Sequence, residues 1–183
     1  DAAVSAIEAD GGTVQMPATD MPGVGRIAMV ADPQGAPFHL MSPTPPPGME
    51  DAKSDVFSVD QPQRVRWNEL STSDPGVAIA FYRRHFGWGQ EGAMDMGPMG
   101  AYEFFRRGHT PGMFAGVMTK PAGMPVSLWT YYFRVAEIDE AVRRTTSGGG
   151  SIAHGPIEIP GGEFAVNAID PQGAMFAFVG RRA

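Results

Sequence analysis

Glu69 follows Trp67 by two residues in the run Trp67-Asn68-Glu69-Leu70. A carboxylate held beside an aromatic plane can do acid–base chemistry. Withdrawal from water raises the pKa of a carboxyl toward neutrality, where it can take a proton from a bound molecule. The same carboxylate could instead pair with a cation such as Arg134 or sit at an exposed rim, and structural ion pairs also occupy clefts. Tyr132 offers a hydroxyl that either donates to a ligand or serves only to fill the fold. The histidines His85, His109 and His154 share no spacing that suggests a triad or a chelate, and each reads as a surface or helix-end residue. Cysteine is absent, which removes disulfides, thiolate metal sites and a cysteine nucleophile.

The elements that must position these residues follow from periodicity. Residues 64–72 alternate and predict a strand, with Trp67, Glu69 and Ser71 on one face and Leu70 on the other. In the strand predicted over 128–135, the apolar set Trp129, Tyr131, Phe133 and Val135 suits a helix-covered face. The mixed set Thr130, Tyr132 and Arg134 suits the face opposite. Between these strands, Asp74-Pro75 is a helix N-cap followed by proline at the first helical position. Val77 and Phe81, with Ala78, Tyr82 and Phe86, recur at helical spacing, and Gly87 supplies a left-handed stop. Short strands are expected over 88–91, 101–106 and 113–119. A second helix is expected over 137–146, stopped by Gly148-Gly149-Gly150, and further strands over 151–159, 163–169 and 175–179. The methionine-rich stretch 94–99 reads as a surface loop, with a lid as the functional alternative.

An internal repeat organises the chain. Residues 1–43 align with residues 139–181 without a gap, and thirteen of the 43 positions are identical. Shared positions include Gly11-Gly12 with Gly149-Gly150, and Asp32-Pro33-Gln34-Gly35-Ala36 with Asp170-Pro171-Gln172-Gly173-Ala174. So long a period points to a duplicated domain and not to a solenoid. We therefore expect 1–43 to be the C-terminal half of a first domain, 44–63 a Pro-rich linker, and 64–183 a second domain of strand–helix–three-strand units in tandem. On this reading the first domain is incomplete, its front half lying before Asp1.

Composition narrows the function classes. The 183 residues carry a formal charge of -6, with 14 basic residues scattered along the chain and clustered no further than short pairs. A nucleic-acid surface needs clustered Lys and Arg, so no nucleic-acid partner is expected. No apolar run approaches the roughly 20 residues of a bilayer span, and the start Asp-Ala-Ala-Val-Ser-Ala-Ile-Glu has no export signal. The expectation is a cytoplasmic protein without a membrane partner.

Taken in order, Trp67-Asn68-Glu69-Leu70, Asp74, Phe81-Tyr82, Phe86-Gly87-Trp88, the Gly-Gly pair and Asp170-Pro171-Gln172-Gly173 resemble the vicinal-oxygen-chelate superfamily. That superfamily contains glyoxalase I, the bleomycin-resistance proteins and the extradiol dioxygenases. The Trp-x-Glu-Leu start is similar to two-domain, glyoxalase-like bacterial proteins. The resemblance implies an α+β fold in which paired βαβββ units form a curled mixed sheet with a cleft. Its metal-dependent members carry His or Gln on the first strand of each unit and Glu on the last. Here those positions fall on Trp67, Thr130 and Ala177, and the remaining one on strand 113–119, which has no Asp, Glu or His. A divalent ion needs about three or four protein donors, so no metal is expected in the second domain. In the first domain the corresponding position is His39, and a divalent metal there remains open. The cleft would instead offer Trp67, Thr130, Tyr132, Arg134, Met175 and Ala177 to a planar or partly apolar small molecule, with Glu69 as the candidate catalytic group. A metal-free binder is the leading expectation, a lyase or dioxygenase the alternative, and a structural domain with a vestigial cleft the third. Open sheet edges make a homodimer a further expectation.

Overall fold

The computed structural model describes residues 1–108 and 112–183; His109 lies outside the described residues. The protein is α+β, and two βαβββ units follow one another along the chain: β4 (Val65–Thr72), α2 (Pro75–Phe86), β5 (Gly89–Asp95), β6 (Ala101–Arg106), β7 (Met113–Thr119), then β8 (Leu128–Arg134), α3 (Ile138–Ser147), β9 (Ser151–Ile159), β10 (Glu163–Ile169), β11 (Met175–Gly180). Ahead of them stand α1 (Ala2–Ala9), β1 (Thr13–Met21), β2 (Gly25–Ala31) and β3 (Pro37–Pro43).

Local chemistry sets the helix ends. The Asp74 carboxylate accepts from Val77 N at 3.0 Å, Pro75 opens α2, and Gly87 closes it at φ 64°. Such a φ is cheap only without a Cβ. At α3, Glu137 caps by accepting from the amides of Asp139 and Glu140.

The chain forms two compact units, Asp1–Lys53 with Leu70–Trp129, and Ser54–Glu69 with Thr130–Ala183. In the first, β1, β2 and β3 make an antiparallel three-stranded sheet in that order, and the remaining strands run β5-β6-β7-β4. Its interior is aromatic: Phe81, Tyr82 and Phe105 are fully buried, and Phe38 on β3 lies against the rings of Phe81 and Tyr82. Asp32 is buried there too. Its Oδ1 accepts from the amides of Gln34 and Ala36, and its Oδ2 accepts the Tyr82 hydroxyl at 3.0 Å. Trp129 Nε1 donates to that hydroxyl at 2.9 Å. Burial, the largest influence, raises the Asp32 pKa, against the lowering effect of these hydrogen bonds. The repeat is physical as well as textual, since Asp170 Oδ1 accepts from Gln172 N and Ala174 N in the same way.

In the second unit the strand order is β4-β8-β11-β10-β9. The sheet is mixed: β8 runs parallel to β11, whereas β10 is antiparallel to both of its neighbours. Helix α3 covers one face, where Ile138, Val166, Ala168 and Phe178 form a core with Ala141 and Val142. The opposite face buries Tyr132, Ala165, Ala177 and Val179, with Trp67 and Ile159 packed against them. Tyr131 and Phe133 depart from the sequence reading: they are 45% and 42% exposed, not helix-covered. The reason is reach, because α3 lies over β9, β10 and β11.

Candidate functional site

Register assembles the site in the second unit. Tyr132 on β8 pairs with Ala177 on β11, and Ala177 pairs with Asn167 on β10. Residues abreast in neighbouring strands share a face, so the tyrosine and the asparagine flank an alanine whose methyl leaves space above it. The Tyr132 hydroxyl crosses that space to Asn167, with oxygen and amide 3.5 Å apart. It donates to Glu69 Oε1 at 3.0 Å. A carboxylate, a phenol and a carboxamide therefore meet beside Trp67 and the apolar cluster of Ala165, Ala177 and Val179.

The electrostatics of this group favour a fixed donor. Burial raises the Tyr132 pKa far above its ordinary value, and the neighbouring Glu69 charge raises it further; only the Asn167 hydrogen bond acts the other way. Tyr132 thus keeps its proton through the whole physiological range and presents it to Glu69.

Alongside lies a second polar group. Glu163, at the start of β10, is buried and paired with the guanidinium of Arg134, with Arg66 NH2 at 3.7 Å. Arg134 Nε also donates to the Asp60 carbonyl at 3.1 Å. The guanidinium is held by Glu163 and Asp60, and the hydroxyl on Glu69 comes from Tyr132. Of the other sequence candidates, Thr130 is half-buried on β8, Ala177 is wholly buried, and Met175 is 54% exposed.

Three residues escaped the sequence reading: Asn167, Glu163 and Arg66. Asn167 sits in a run, Phe-Ala-Val-Asn-Ala-Ile, that reads as plain core strand. Only the pairing of β10 with β11 shows that it faces Tyr132. Alternation from Trp67 puts Arg66 on the opposite face, yet its long side chain reaches Glu163.

The donor set does not fit a divalent metal. The positions that the resemblance assigns to ligands hold Trp67, Thr130 and Ala177, and Ala177 is sealed in the apolar cluster. Among the described residues no three His, Asp or Glu side chains gather as metal ligands. In the first unit, His39 is exposed on β3, while His85 Nε2 lies 2.9 Å from Asp10 Oδ2, an ion-pair position at a helix end. His154 is exposed on β9, abreast of Asn167.

The family model described as Glyoxalase/Bleomycin resistance protein/Dioxygenase superfamily matches residues 64–178. CFP32 of Mycobacterium tuberculosis, named as a candidate glyoxylase, is 32% identical over 178 residues, 97% of this chain and 64% of the relative. DauV of Streptomyces sp. strain C5, named an anthracycline biosynthesis protein, is 34% identical over 179 residues, 98% of this chain and 61% of the relative. The chain thus spans somewhat under two thirds of the length of these curated relatives. Among solved structures, the Mn(II)-bound glyoxalase of Novosphingobium aromaticivorans matches with a TM-score of 0.63 at 16% identity, covering 100% of this chain and 59% of that one. The 2,3-dioxygenase LapB of Pseudomonas sp. KL28 matches with a TM-score of 0.61 at 14% identity, covering 100% of this chain and 67% of that one. At such identities the likeness is one of fold.

Proposed function

We propose, on the premise that this chain belongs to the glyoxalase/bleomycin resistance protein/dioxygenase superfamily, that it binds a planar, partly apolar small molecule without a divalent metal in residues 64–183. The observation that carries this is the Tyr132–Glu69 hydrogen bond set in the apolar cluster of Trp67, Ala165, Ala177 and Val179. Flat rings stack on an indole, and one carboxylate with a fixed phenol partner accepts a hydroxyl or N–H of the ligand. The relatives named for anthracycline biosynthesis make a fused aromatic polyketide the first class of ligand to try.

The test is a fluorescence titration with an anthracycline aglycone. Quenching is expected in the wild type and lost in Trp67→Ala, with Trp88 and Trp129 retained as internal controls. Unchanged binding by Trp67→Ala, or no quenching by any planar probe, sinks the proposal.

The second reading is metal-free catalysis, with Glu69 as the base and Tyr132 as the group that orients it. The Tyr132–Glu69 contact favours it over a vestigial cleft. Glu69→Gln separates the two readings: a binder keeps its affinity largely intact, whereas an enzyme loses turnover of a bound substrate. We further propose that 1–43 belongs to a first glyoxalase-like domain and that open strand edges permit a homodimer; light scattering that finds a strict monomer counts against the latter. No helix among the described residues is long and apolar enough to cross a membrane.

A further inference from the structure

Two guanidinium groups in the second unit share one carboxylate. Glu163 alternates with Ala165 and Asn167 along β10, so it lies on the face that carries Tyr132 and against which Trp67 packs. On β8, Arg134 stands two residues from Tyr132 and abreast of Val179, which is itself abreast of Ala165. The ion cluster therefore begins about 7 Å along the strands from the row of Tyr132, Ala177 and Asn167, within the span of one fused ring system. Glu163 Oε1 accepts a hydrogen bond from Arg134, whereas Glu163 Oε2 lies 3.7 Å from Arg66 Nη2, an ion pair beyond hydrogen-bond reach. Arg134 has a further acceptor in the Asp60 carbonyl at 3.1 Å, while the Nε of Arg66 is buried with no acceptor. Of the two side chains Arg66 is also the more open, 26% against 17%.

Two positive charges thus face one negative charge, and Arg134 holds the better part of it. A guanidinium partly withdrawn from water and short of an acceptor is completed by a planar anion that matches its fork, and a carboxylate does this with two parallel hydrogen bonds. The single excess positive charge suits a monoanion better than a phosphate monoester, which carries nearly two negative charges. Resting on the reading of this face as a site for a planar, partly apolar molecule, we propose that the ligand is an aromatic carboxylic acid. Its rings lie on Trp67 and its carboxylate on the guanidinium of Arg66. Glu163 stays with Arg134, and so leaves Arg66 to the ligand.

The test uses two probes of one shape, anthraquinone-2-carboxylate and the neutral anthraquinone-2-carboxamide, titrated calorimetrically into the whole chain at neutral pH. The wild type is expected to bind the carboxylate at least about tenfold more tightly, the worth of one charge-assisted hydrogen bond. Arg66→Gln is expected to lose that preference while binding the carboxamide as the wild type does, which also shows that the variant is folded. Arg143→Gln, the same loss of charge at an exposed position of α3, is expected to keep it. Equal binding of the two probes by the wild type overturns the proposal and, where that binding needs Trp67, leaves the reading of the face intact. A preference that survives Arg66→Gln, or falls equally in Arg143→Gln, overturns it too. A preference that needs Arg66 but is unchanged in Trp67→Ala upholds the Arg66 contact and overturns the stacking on Trp67. Binding of neither probe overturns both.

Discussion

At the scale of the residue, Tyr132 does most to define the candidate site. Its hydroxyl is nearly out of water and its strongest partner is an anion, so it behaves as a permanently protonated donor. Removing that hydroxyl leaves Glu69 short of a buried hydrogen bond. Tyr132→Phe is therefore expected to lower stability by about 1–3 kcal/mol, measured by denaturant unfolding. The sign of the pH effect follows from the raised pKa. Stability from Tyr132 is complete below its ordinary value of 10.0 and is lost only as pH climbs through its higher folded value. In an alkaline absorbance titration, wild type and Tyr132→Phe should give the same tyrosinate signal until unfolding. A difference between them near pH 10 would show that Tyr132 is more open than its burial suggests.

At the scale of the element, strand β10 carries two polar residues in a strand otherwise built as core. Asn167 faces Tyr132 at its centre, and Glu163 anchors Arg134 and Arg66 at its start. A buried carboxylate between two guanidinium groups is stable only while both signs are present. Glu163→Gln leaves buried positive charge unmatched and is expected to cost about 3–5 kcal/mol. Replacing Glu163 and Arg134 together by Leu and Met should cost less than Glu163→Gln alone. Thermal unfolding of the single and double variants checks this, and additive losses would show that the two residues are not coupled. Such an outcome would leave Arg134 available as an anchor for the ligand.

At the scale of the whole molecule, the pH dependence of folding should carry the mark of Asp32. Its pKa is raised, chiefly by burial, so the folded state holds the proton more tightly than the unfolded chain. Its contribution is fully present in acid below the ordinary carboxylate pKa of 3.8 and declines as pH rises through the folded value. Asp32→Asn removes that titration. The stability difference between the two proteins should therefore move in favour of the variant as pH rises above 3.8 and through the raised folded value. A difference that stays level across this range would mean that the hydrogen bonds from Tyr82, Gln34 and Ala36 cancel the burial effect.

Much of this protein is determined by local sequence, because the forces involved are local. Asp74-Pro75 and Gly87 set the ends of α2 through a carboxylate cap, a ring-locked φ and a missing Cβ. The Asp-Pro-Gln-Gly-Ala turn forms twice by the same two amide-to-carboxylate bonds, which is why the repeat was readable. Alternation likewise put Trp67 of β4 and Tyr132 of β8 on the same side, where they pack together. What tertiary structure decided was partnership. Arg134 found Glu163, and Glu69 found Tyr132, across 29 and 63 residues of sequence. Asn167 became a site residue only through the register of β10 on β11. Helix α3 covered β9, β10 and β11, and so left Tyr131 and Phe133 partly in water despite their apolar pattern. Periodicity fixes which face a side chain takes, but which strand lies next to it depends on long-range pairing that no short window of sequence contains.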